Sequence, residues 1–60
     1  MNIRAVWRDP DYTYNKYENV VIISTEWLDG RLQALVIDRN GTLKYIHVKD
    51  LTVTDKKYLP

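Results

Sequence analysis

Sixty residues with no cysteine, one histidine and a net charge of +1 exclude a disulfide framework, a thiolate metal site and a zinc cage built on His47 alone. Nine basic against eight acidic residues also argues against a protein that coats nucleic acid, whose affinity rests on a large positive excess. No apolar run approaches membrane-span length and residues 1–10 lack a signal-peptide core, so a single soluble, cytoplasmic domain over 1–60 is expected, with nothing to staple it.

In chain order, NIRAVWR (2–8) alternates Ile3, Ala5 and Trp7 against Asn2, Arg4 and Arg8, the pattern of a half-buried strand, with Val6 out of phase. Asp9-Pro10 ends it, since proline cannot donate to a central ladder. The stretch DPDYTYNKYEN (9–19) then carries Tyr12, Tyr14 and Tyr17. Two readings compete for these rings. They cover the end of a small barrel with hydroxyls in water, which is the favoured reading. Alternatively they form a platform for a peptide, a nucleobase or a methylated cation.

NVVIISTEWL (19–28) and RLQALVID (31–38) flank Asp29-Gly30, the signal of a type I′ hairpin. With Leu28 opposite Arg31, the pairs Trp27–Leu32, Thr25–Ala34 and Ile23–Val36 share one face, which is almost wholly apolar. The next turn, DRNG (38–41), is read as a three-residue loop with a bulge and Gly41 left-handed. That choice pairs Ala34 with Ile46 and Leu32 with Val48 and keeps the apolar face continuous; a one-residue slip would turn every side chain over. KDL (49–51) reads as a short 3-10 turn, TVT (52–54) as a last strand returning Val53 to the core, and residues 55–60 as a polar tail expected to fray. The expected core is Trp7, Ile23, Trp27, Ala34, Val36, Ile46, Val48 and Leu51.

The fold class that follows is all-β: a small five-stranded antiparallel barrel with one short 3-10 turn. Ala34, Val36, Gly41, Ile46, Val48, Asp50, Leu51 and Val53, within ALVIDRNGTLKYIHVKDLTV, carry a resemblance to the SH3-like small barrels, including KOW-type, Tudor-like and prophage-encoded members. The resemblance implies the architecture and places DPDYTYNKYEN in the long first loop. It implies no activity, because function resides in sites rather than folds. The paired tryptophan and proline-containing motif of peptide-binding SH3 domains are not where that family has them.

Catalytic chemistry is not signalled. The only glycines are Gly30 and Gly41, so there is no phosphate loop, and no serine, threonine or His47 stands in a nucleophile motif. Asp9 and Asp11 flank Pro10, which turn chemistry explains. The expectation is a protein that is not an enzyme, with no catalytic residue, cofactor, metal or small-molecule substrate. His47 falls on an outer strand face opposite Gln33.

Surfaces are more informative. In this register Ile22, Leu35, Ile37, Leu43 and Tyr45 lie on the face away from the core, extended by Val20 and Val6. A contiguous apolar patch of that kind tends to mark an interface. Two alternatives compete with that reading: the DPDYTYNKYEN loop folds over part of it, or strong barrel curvature buries both ends of these strands. These five residues are the first candidate partner surface, and Tyr12, Tyr14 and Tyr17 the second. The functional expectation is a non-catalytic protein-interaction module that binds a host protein or itself as a homodimer, resembling in size and fold the accessory proteins of phages and mobile elements. The alternative is a nucleic-acid-binding barrel using Arg4, Arg8, Lys16, Lys44 and the tyrosines.

Overall fold

The computed structural model describes residues 2–11 and 17–58. Strands β1 (Ile3–Arg8), β2 (Tyr17–Leu28), β3 (Arg31–Asp38), β4 (Leu43–His47) and β5 (Leu51–Val53) form one antiparallel sheet. A 3-10 turn, Val48–Asp50, joins β4 to β5, and a second, Lys56–Tyr58, follows β5. The strand order is β4-β3-β2-β1-β5, so β1 lies between β2 and the last strand. Among the described residues no ladder joins β4 to β5, and the sheet is not closed.

Two turns set the register. Asp29 and Gly30 both have positive φ, 51° and 74°, as a type I′ turn requires, and Leu28 faces Arg31. Gly41 has φ 82°, and the loop 39–41 is closed by Asp38 N–H to Thr42 O and Gly41 N–H to Asp38 O, each 3.0 Å. The Asp38 carboxylate also accepts the N–H groups of Asn40 and Thr42, each at 2.9 Å. This is the bulged three-residue turn, and Ala34 faces Ile46 across the ladder. The expected Leu32–Val48 pair does not form: the ladder stops at Gln33–His47, and Val48 opens the 3-10 turn.

The larger correction is in β2. Ser24 faces Leu35 and Ile22 faces Val36, so Ile23 is the extra residue of a bulge. Trp27–Leu32 and Thr25–Ala34 pair as expected, but Ile23–Val36 does not, and Ile37 faces Val21 rather than Ile22. A bulge inserts one residue and reverses the side-chain phase beyond it. Ile22 and Val20 therefore turn into the core, where they join Ala5, Ala34, Val36 and Ile46, with Ile3, Trp7, Val48 and Leu51 packed around them. Ile22 leaves the outer patch, and Ile23 leaves the fully buried set.

The last elements begin one residue earlier than expected, Val48–Asp50 for the 3-10 turn and Leu51–Val53 for the strand. Thr54 and Asp55 donate their N–H groups to Arg4 O at 3.0 and 3.2 Å, tying the chain back onto β1. Asp55 is buried, and its carboxylate accepts the Lys57 N–H at 3.2 Å.

Candidate functional site

The strands differ in length, and that difference creates the most unusual surface. β1 pairs with β2 only as far as Ile3–Ile22, and β4 pairs with β3 only as far as Gln33–His47. The β2–β3 hairpin therefore projects past both neighbours. On its inner face the next residues are Thr25, Trp27 and Leu32, in phase with buried Ala34 but with no strand of the described residues paired beyond the hairpin there. Trp27, expected in the core, is 73 % exposed, and Leu32 opposite it is 38 % exposed. The hairpin is nevertheless held in place by its ladder and its type I′ turn, and Gln33 Nε2 donates to Leu28 O at 3.4 Å.

Beside Leu32, the start of the 3-10 turn borders a depression of about 590 Å³ lined by Arg31, Leu32, His47, Val48 and Lys49. Among the described residues its lining holds two cations and no carboxylate side chain. Neither Arg31 nor Lys49 makes an ion pair with any described residue.

The opposite end of the inner face is polar and occupied. Lys44 Nζ lies 3.4 Å from Asp38 Oδ2, 3.6 Å from Glu18 Oε2 and 4.4 Å from the centre of the Trp7 ring. Lys44 is on β4 and Trp7 on β1, so the sheet curls until strands three places apart meet. The Asp38 carboxyl is held below the ordinary aspartate value, chiefly by the Thr42 N–H, against an opposing effect of burial, with Asn40 N–H and Lys44 adding to the lowering. The cluster pairs one cation with two anions and a ring face, and it plugs the end of the core. Lys44, a candidate for phosphate contact, is turned inward.

On the outer face the register brings Leu35 opposite Tyr45 and Ile37 opposite Leu43, so four of the five first-surface candidates do share a patch. Val21 occupies the place given to Ile22. Leu43 and Tyr45 are 57 % and 47 % exposed, whereas Leu35 and Ile37 are half-buried. The Tyr45 hydroxyl donates to Glu26 Oε2 at 3.4 Å. Of the second candidates, Tyr17 is exposed on β2, while Tyr12 and Tyr14 lie outside the described residues. His47 faces Gln33 as expected.

Among the described residues no group of three or more His, Asp or Glu side chains is placed to hold a metal ion, and no helix is long and apolar enough to cross a membrane. Comparison with protein-family models, curated proteins and solved structures finds no match.

Proposed function

We propose that this chain is a non-catalytic, cytoplasmic protein-interaction module with an SH3-like small-barrel architecture. The strand order β4-β3-β2-β1-β5, with a single 3-10 turn between β4 and β5, supports the architectural part of the reading. One observation carries the functional part: Trp27 is 73 % exposed on a hydrogen-bonded hairpin. A domain this small needs its large apolar side chains for its core. A tryptophan withheld from the core and carried on paired backbone is well suited to anchor a partner, because it offers a large apolar area with only two side-chain torsions to order on binding. The outer patch of Leu43 and Tyr45 is a second contact surface in this reading. The nucleic-acid alternative is disfavoured by the inward turn of Lys44 and by the small net charge.

The experiment is affinity capture from the source cells with wild type and Trp27→Ala side by side, each first shown by circular dichroism to be folded. The proposal expects a stoichiometric protein partner with wild type that is lost with Trp27→Ala. Equal recovery by both would refute Trp27 as the anchor.

A further inference from the structure

Resting on the reading of Trp27 as a docking anchor, we infer that the inner face of the projecting hairpin receives an acidic segment of a partner protein, with an apolar side chain seated against Trp27 and Leu32 and carboxylates facing Arg31 and Lys49. Three observations combine. Trp27 and Leu32 form a cross-strand apolar pair that nothing in the described chain covers. The depression that continues this strip is bounded by Val48 and by Arg31 and Lys49, with no carboxylate among its lining residues. Neither cation has an ion-pair partner among the described residues, whereas Lys44 is doubly paired. Among the described residues, two positive charges thus stand without an ion pair near the most exposed large apolar side chain.

An apolar strip with unpaired cations at its rim is complementary to a segment of the opposite pattern. Burying apolar surface supplies the affinity, while the rim charges select the partner and steer its approach. Arginine binds a carboxylate through two parallel hydrogen bonds, which adds direction as well as charge. Single-stranded nucleic acid fits less well. A groove that tracks a phosphate backbone needs a row of cations along several nucleotides, and this rim offers two.

The test is selection from a random dodecapeptide library displayed on phage, using three baits: wild type, Trp27→Ala and the double variant Arg31→Glu/Lys49→Glu. All substitutions are at exposed positions, and circular dichroism confirms folding before selection. Wild type is expected to enrich peptides that carry an aliphatic or aromatic residue flanked by Asp or Glu. One enriched peptide, resynthesised, should bind the double variant at least about tenfold more weakly, and the double variant should enrich Lys or Arg in place of Asp or Glu. Enrichment without acidic bias, or the same charge preference with the double variant, overturns the acidic occupant and leaves the Trp27 anchor standing. Retention of the same peptides by Trp27→Ala overturns both. Tighter binding of a twelve-nucleotide oligothymidylate than of the enriched peptide at physiological salt, lost in the double variant, overturns the inference in favour of nucleic acid.

Discussion

Truncating Trp27 separates a core tryptophan from a presented one. A tryptophan in a core buries roughly 150–250 Å² and costs about 3–5 kcal/mol to remove. Trp27 is 73 % exposed, so only about a quarter of that area is lost from contact, some 40–60 Å². At about 25 cal/mol per Å² this amounts to about 1–1.5 kcal/mol for Trp27→Ala. Ile22→Ala removes a buried core side chain and should cost about 2–5 kcal/mol. A domain of this size has about 3–9 kcal/mol in all, so Ile22→Ala approaches global unfolding while Trp27→Ala does not. Urea denaturation followed by far-ultraviolet circular dichroism measures both. A loss of 3 kcal/mol or more for Trp27→Ala, matching Ile22→Ala, would show that Trp27 is packed and refute the reasoning.

Gly41 has φ 82° and open space where a Cβ would stand, so Gly41→Val should cost about 1 kcal/mol or more through backbone strain alone, and Gly41→Asn less; denaturation midpoints check both. Asp38 has its pKa lowered in the folded state, so its contribution is full above the ordinary value of 3.8 and is lost as pH falls through the lower folded value. The stability advantage of wild type over Asp38→Asn should therefore be constant near neutrality and shrink in acid, as urea midpoints across pH will show. Leu43 is 57 % exposed on the outer patch, so Leu43→Lys should leave folding intact; if that patch pairs two copies, sedimentation equilibrium will show wild-type self-association weakened by the substitution.

The turns were legible in the sequence because their chemistry is local. Asp29-Gly30 and the Gly41 bulge depend on which residues tolerate positive φ, and both appear where the dipeptides stand. Strand existence, the β3–β4 register and the Ala34, Val36 and Ile46 core followed from those turns. The β2 bulge did not, and the reason lies in Val20, Val21, Ile22 and Ile23. Four consecutive apolar residues carry no alternation, so either phase buries a good pair, and the structure takes the one that also brings Glu18 to Lys44. Trp27 lies on the face that alternation predicts but not at the predicted depth. Periodicity reports which way a side chain points, whereas exposure depends on whether a neighbouring strand reaches it. The signal available was strand length: β1 has 6 residues and β2 has 12, so the far half of β2 has no β1 beside it. The cationic rim was invisible for the same reason, since Arg31 and Lys49 are far apart in sequence and meet only because the 3-10 turn folds back beside β3.

The most direct test of Trp27 as a presented anchor uses the indole N–H resonances of the two tryptophans, Trp7 and Trp27. A soluble gadolinium chelate broadens protons that solvent can reach. In the free protein the Trp27 indole should broaden more strongly than that of Trp7, which is half-buried beneath Lys44. Adding the peptide enriched by wild type should restore the Trp27 signal and leave Trp7 unchanged. A Trp27 indole as protected as Trp7 in the free protein, or one still broadened with the peptide bound, would contradict the account.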